Sequence, residues 1–219
     1  MARFTSAVAA LALLAATPAA AQDDTDLAQQ LANPIAALIS VPFQFNYEEG
    51  IGPDRAGSRW RLNVQPVIPF SLDADWNVIS RTIVPVVSQR SLLPGSGSQF
   101  GLGDTLQSVF LSPKAPTAGG VIWGVGAVFL LPTATDDLLG TGKWGIGPTG
   151  VALIQRGPWT AGALANHVWS VAGDRNRADV NQTLIQPFLS YTTPEAWTFS
   201  LQAEATRDWE RSVLISAEN

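Results

Sequence analysis

The sequence predicts an all-β chain: an antiparallel up-and-down transmembrane β-barrel, incomplete at about nine strands, with a short N-terminal helix after a signal peptide. Three observations predict it. Apolar residues recur at every second position in segment after segment. The connections between those segments alternate in kind. All eight tryptophans fall near segment ends.

The period of two is cleanest in three places. In Ile39 to Tyr47, one parity carries Ile39, Val41, Phe43, Phe45 and Tyr47, and the other Ser40, Pro42, Gln44 and Asn46. In Arg59 to Phe70, Trp60, Leu62, Val64, Ile68 and Phe70 oppose Arg59, Arg61, Asn63 and Gln65. In Trp197 to Asp208, Trp197, Phe199, Leu201, Ala203 and Ala205 oppose Thr198, Ser200, Gln202, Glu204, Thr206 and Asp208. A step of two places each set on one side of a sheet. Six further segments, at 76–88, 101–112, 121–131, 144–156, 159–171 and 180–191, bring the candidates to nine. Pro42, Pro66, Pro85, Pro148 and Pro187 fall inside them. A proline cannot donate to a ladder, so bulges or breaks are expected there.

One set of connections is compact: Ser71–Asp75, Pro113–Gly120, Gly157–Pro158 and Thr192–Ala196. The other is longer or more charged: Glu48–Ser58, Gln89–Phe100, Pro132–Lys143 and Gly173–Asp179. Bacterial membrane barrels pair short periplasmic turns with longer external loops. Trp76, Trp123, Trp159 and Trp197 follow the compact turns, while Trp60, Trp144, Trp169 and Trp209 sit on the long-loop side. Indole favours the half-wet headgroup region, so two such rims read as membrane-interface girdles. Gln65-Pro66 and Gln186-Pro187 stand at one spacing before Trp76 and Trp197, which suggests a reused hairpin.

The N-terminus reads as an export signal over 1–21. Arg3 starts it, Ala7 to Ala16 form a short apolar run, and Ala19-Ala20-Ala21 offers small residues for cleavage after Ala21. The run is too short for a mature spanning helix, which needs roughly 20 residues. The stretch 22–36 is a helical lead-in, with Asp24 or Thr25 as cap and Leu27, Leu31 and Ile35 near helical spacing in the run from Asp24 to Ala37, although Pro34 interrupts it. Residues 37–209 hold the barrel strands and loops, and 210–219 form an atypical tail.

Composition agrees and excludes several chemistries. Only 14% of residues are charged, against about a quarter in an ordinary globular protein, and mean hydropathy is +0.14. A pI near 4.7 argues against nucleic acid, which demands clustered Lys and Arg. There is no cysteine and a single histidine, His167. That removes disulfides, thiolate catalysis and cysteine zinc sites, and it disfavours a histidine metal site. The reading contains no catalytic residue, no metal and no cofactor.

Several strings, "LANPIAALISVPFQFNY" from Leu31, "GSRWRLNVQPVIPF" from Gly57, "GLGDTLQSVFLSPKAP" from Gly101, "LLPTATDDLLGTGKWGIGPTG" from Leu130 and "QPFLSYTTP" from Gln186, resemble the outer-membrane transporter family associated with the phenol meta-degradation pathway. The resemblance runs from about Leu31 to Trp209. It implies a monomeric-type outer-membrane barrel that passes small, often hydrophobic, compounds. It also implies outer-membrane lipid, lipopolysaccharide and the barrel-assembly machinery as partners. Where that family continues through further strands, this sequence reads "ERSVLISAEN" after Trp209. Single-chain bacterial barrels have an even strand count, so the expectation is a truncated or frame-shifted product whose open sheet inserts poorly.

On the parity assigned to the lumen stand Gln44, Asn46, Arg59, Arg61, Asn63, Gln65, Arg81, Gln202 and Glu204, the pore-lining candidates. Charges on such a face set solute preference, unless the interior is plugged and merely structural. Asp136 and Asp137 could bind calcium through oxygen ligands, but no further acids follow at regular spacing, and a solvated loop or a contact with lipopolysaccharide cations is the favoured reading. His167, Asn166 and Ser170 suggest the parts of a hydrolase, but Asn166 and His167 are adjacent in a strand and point apart. The glycines of "GTGKWGIG" lack phosphate-loop spacing. Passive transport leads. A non-conducting structural or surface-interaction barrel, a soluble secreted β-sandwich that binds a ligand, and a membrane enzyme are the other readings.

Overall fold

The computed structural model describes residues 21–210 and 213–218. The predicted signal peptide lies outside the described residues, apart from Ala21. Helix α1 spans Ala21–Leu31. It stops short of the predicted 22–36 because Pro34 supplies no N–H and restricts the residue before it. The Asn33 side chain instead accepts a hydrogen bond from the Ile35 N–H at 2.9 Å, turning the chain.

Everything after the helix is strand and loop. The strands are β1 (Phe43–Ile51), β2 (Gly57–Val64), β3 (Val67–Ser71), β4 (Trp76–Arg90), β5 (Ser98–Leu102), β6 (Thr105–Pro113), β7 (Val121–Leu131), β8 (Lys143–Arg156), β9 (Trp159–Gly173), β10 (Asn181–Thr192), β11 (Thr198–Asp208) and β12 (Val213–Glu218). All pairings are antiparallel between neighbours in sequence, so the sheet is a meander. β2 and β3 both pair with β4 in one register, as two halves of a single strand. β5 and β6 also share β4, but in registers one residue apart. Counted so, the sheet from β1 to β11 has nine strands, curled into a half-barrel. β12 pairs with β11 and gives the tail a strand that the sequence reading missed.

The prolines account for most differences from the expected strand limits. Pro42 delays β1 to Phe43, although Ser40 still bridges Val67. Pro66 divides β2 from β3, where its carbonyl accepts from the Thr82 N–H at 3.0 Å. Pro85 stands where the segment predicted as one strand over 101–112 breaks into β5 and β6, and its carbonyl accepts from the Gly103 N–H at 2.8 Å. The register slips by one residue across that break, which reverses the parity of the two halves. Opposite Pro148 the β8–β9 ladder skips, and opposite Pro187 the β10–β11 ladder skips. Each ring removes the donor that its neighbour would have met.

The strands also run into the predicted loops. Glu48 and Glu49 continue the ladder against Arg59 and Ser58, so that connection shrinks to 52–56. The remaining connections at that end are 91–97, 132–142 and 174–180, against 72–75, 114–120, 157–158 and 193–197 at the other. The asymmetry is milder than the sequence suggested, and 132–142 carries most of it.

Register and burial fix the two faces. Ile79, Phe110, Val151, Leu153, Leu164 and Val67 point inward and form one buried cluster, joined by Ile35 from the lead-in. A second cluster, Val128, Leu130, Val168 and Val180, lies on the same face. The outer face leaves Phe43, Phe45, Phe70, Val125, Val171, Ile185, Phe199 and Leu201 exposed. Phe110 is fully buried, so Phe110→Ala is expected to cost about 3–5 kcal/mol through lost burial and a residual cavity. Thermal unfolding in detergent micelles measures this, and a loss under about 1 kcal/mol would show that the inner cluster is loosely packed.

Candidate functional site

The inner face has two walls of different character. Strands β6 to β10 present mainly the apolar clusters. Strands β1, β2 and β11 present amides and charges, and β4 mixes the two, with Ile79 and Val87 on the same face as Arg81 and Gln89. All nine pore-lining candidates occupy the inner face. Gln44, Asn46 and Glu48 stand opposite Asn63, Arg61 and Arg59 across the β1–β2 ladder. Gln202 and Glu204 take the same side of β11, whose odd residues Phe199 and Leu201 are exposed outside.

These polar groups are wired together. The Arg81 Nη2 donates to Gln65 Oε1 at 2.7 Å, and Gln65 Nε2 donates to Gln44 Oε1 at 2.8 Å. The Arg59 Nε donates to Gln89 Oε1 at 3.0 Å, and Gln89 Nε2 passes on to Gln99 Oε1 at 3.2 Å and to the Leu138 carbonyl at 3.1 Å. Glu48 pairs with Arg59 at 3.6 Å and with Arg61 at 3.7 Å. Both pairs remain partly exposed, so each stabilises by no more than about 1 kcal/mol. Glu204 comes from the far end of the sheet, yet it lies within electrostatic reach of Arg61, Glu48 and Arg81. The curl of the half-barrel therefore brings the inner face of β11 within charge-interaction range of β1, β2 and β4.

Sequence reading missed Glu48, Gln89 and Gln99, because all three fell in segments taken as loops. Parity was an available signal for Glu48, which continues the polar alternation of Gln44 and Asn46 by one step; Ile83, Pro85 and Val87 precede Gln89 on its own face and give no such sign. It also left open where the lead-in goes. Helix α1 lies across the compact-turn end, where Thr25 Oγ1 donates to the Pro194 carbonyl at 3.1 Å and Gln155 Nε2 donates to the Gln29 carbonyl at 2.9 Å. Beyond it, Ile35 enters the lumen at 3% exposure. Gly124 makes room, since a Cβ there would stand 3.2 Å from Ile35 Cδ1.

The opposite end is closed in part by the loop 132–142. Asp104, at the β5–β6 break, accepts from the Thr141 N–H and hydroxyl and from the Ala134 N–H, pinning both legs of the loop. Arg177 donates to the Gly140 carbonyl. Asp136 caps the Leu138 N–H at 2.8 Å and holds the loop's own turn. Among the described residues no cluster of acids or histidines is arranged for a metal.

The eight tryptophans all project from the outer face near strand ends. Trp76 and Trp123 meet edge to face at 5.9 Å, and Trp159 meets Tyr191 at 4.9 Å, both at the compact-turn end. At the other end Trp60 stacks with Phe45, and Trp144, Trp169 and Trp209 are each about half exposed. His167 is outward too. It lies 4.1 Å from the Trp169 ring, and its Nδ1 is 2.7 Å from the Thr183 hydroxyl. Ser170 serves Asp179 and the Val180 N–H instead, so the residues suggestive of a hydrolase are not brought together. No protein-family model matches the chain, and no curated protein matches it.

One ion pair at the loop end of β8 is open to titration. The Lys143 ammonium, 2.8 Å from Asp179 Oδ1, and the Ser170 hydroxyl hold the Asp179 carboxyl below its ordinary 3.8. A depressed carboxylate contributes above the unfolded value and loses that contribution as pH falls through the folded one. The Lys143–Asp179 tie between the bases of loops 132–142 and 174–180 is therefore expected to persist throughout the range above the ordinary carboxyl midpoint and to open only as pH falls through the lower, folded one. Carboxyl NMR titration of Asp179 should give a midpoint under 3.8 that moves up in Lys143→Gln. An unchanged midpoint would remove the ammonium as the cause.

Proposed function

We propose that the protein is an outer-membrane β-barrel acting as a passive channel for small solutes, exported by its N-terminal signal. The observation that carries this reading is the pairing of an apolar, indole-rimmed outer face with an inner face of linked amides and arginines. A sheet one layer thick with exposed Phe43, Phe70, Phe199 and Leu201 is mismatched to water. Each such side chain forfeits about 1.5–3 kcal/mol if left wet. Lipid as the outer solvent removes that conflict. Indoles at both ends match the two headgroup zones. The resemblance to outer-membrane transporters points the same way, with lipopolysaccharide and the assembly machinery as the partners such a barrel meets.

A solute would move down its gradient through the lumen, and nothing in that step calls for a cofactor. The arginine and amide wall replaces part of the water shell of a polar solute, while the apolar wall accepts its hydrocarbon. A second reading, a barrel without conduction, is favoured by α1 and Ile35 at the compact-turn end. Planar-bilayer recording separates the two. The channel reading expects discrete current steps, and removal of residues 22–36 is expected to raise step size or open probability at least twofold. Silence from both forms, with the protein in the membrane fraction, favours the closed barrel. Recovery of the mature chain in the detergent-free soluble fraction contradicts the membrane reading altogether.

A further inference from the structure

We propose that Arg81 docks the carboxylate of an amphipathic solute, whose apolar body takes the place that Ile35 fills in this structure. The inference rests on the channel reading and names the class of solute for the same lumen. Arg81 is inward on β4, between Ile79 and Ile83 on its own face. Across the ladders it stands opposite Val67 and Ser108. Val67, Ile79 and Phe110 belong to the apolar cluster that also holds Ile35. A cation therefore borders an apolar patch whose occupant is a short segment of the lead-in.

The guanidinium is under-used. Its side chain donates to Gln65 Oε1, and it makes none of the ion pairs found among the described residues. A planar guanidinium has donors beyond what one amide consumes, arranged in a fork that suits a carboxylate. Its neighbours are already committed: Arg59 and Arg61 share Glu48. Glu204 is the acid that faces Arg81 across the lumen, within electrostatic reach but without an ion-pair contact. On the polar wall around it, the arginines Arg59, Arg61 and Arg81 exceed the acids Glu48 and Glu204 by one. The relay from Arg81 through Gln65 to Gln44 fixes the fork against the wall.

Ile35 supplies the apolar half of the argument. It is 3% exposed, while Ala37 and Ile39 after it are exposed and Ser40 is tied back to Val67. Ile35 thus sits in the patch that Arg81 borders, on a lead-in tethered to the compact turns through Thr25 and Gln29. A solute with a chain of similar size and a terminal carboxylate satisfies both halves at once.

Equilibrium dialysis of labelled hexanoate against the protein in detergent micelles tests this, with hexan-1-ol as the uncharged counterpart. Arg81→Gln is expected to weaken hexanoate binding about tenfold and leave hexan-1-ol unchanged, while Arg81→Lys, which keeps the charge and loses the fork, falls between wild type and Arg81→Gln. Ile35→Ala, which vacates the patch, is expected to tighten both ligands severalfold. Equal hexanoate affinity in wild type and Arg81→Gln, or no protein-dependent binding in any form, overturns the proposal. Should Arg81→Gln fail to fold, Ile35→Ala decides: no tightening sinks the idea. Bilayer current is scored separately. Hexanoate binding without conduction defeats the channel and leaves the dock standing, whereas conduction without binding does the reverse.

Discussion

A sheet one layer thick has no second layer to cover it, so both of its faces must find a solvent they match. This constraint governs the molecule. The curl resolves one face by turning it on itself: Ile79, Phe110, Val151 and Leu164 bury one another, and Ile35 fills the remaining space. The other face has no such recourse. Its phenylalanines, leucines and indoles stay exposed because no protein lies over them. The period of two in the sequence is the same fact seen in one dimension, since each strand must serve both environments at once.

Backbone accounting leads to a related point. Inside the ladder, antiparallel neighbours satisfy N–H and C=O groups, and each proline costs a donor that the fold absorbs by a break or a skipped pair. β2 divides at Pro66, the β5–β6 bulge sits across from Pro85, and the ladders beside Pro148 and Pro187 each miss a step. The recurrent Gln-Pro pairs show how this is done. Gln65 and Gln186 both turn inward and are buried, and each precedes a ring placed where pairing is interrupted. The inner face therefore receives an amide beside these two interruptions, whereas Pro85 and Pro148 follow Val84 and Gly147.

Much of this was legible in the sequence, and the failures have physical causes. Alternation located nine strands and the inward parity of Arg59, Arg61, Arg81 and Glu204, because side-chain direction in a strand follows from position alone. It misjudged 101–112, where a one-residue slip at Gly103–Asp104 reverses the faces, and no composition rule marks a slip. It ended strands early at Glu48 and Gln89, because charged and amide residues look like loop when their partners are unknown. The destination of the lead-in could not be read at all. Ile35 is one apolar residue after a proline, and only the vacancy above Gly124 explains why it turns inward. The charge array across the lumen was equally hidden, since it joins Glu204 to residues more than a hundred positions earlier in the chain.

Depth-resolved quenching of tryptophan fluorescence probes the outer solvent most directly. In liposomes of lipids brominated at successive acyl positions, indoles gathered at two headgroup zones are quenched most by bromines nearest the surface and least by those at the bilayer centre. That profile is the one expected here. Emission untouched by bromine at every depth would mean that water or protein, rather than lipid, meets the outer face, and the membrane account would fall with it.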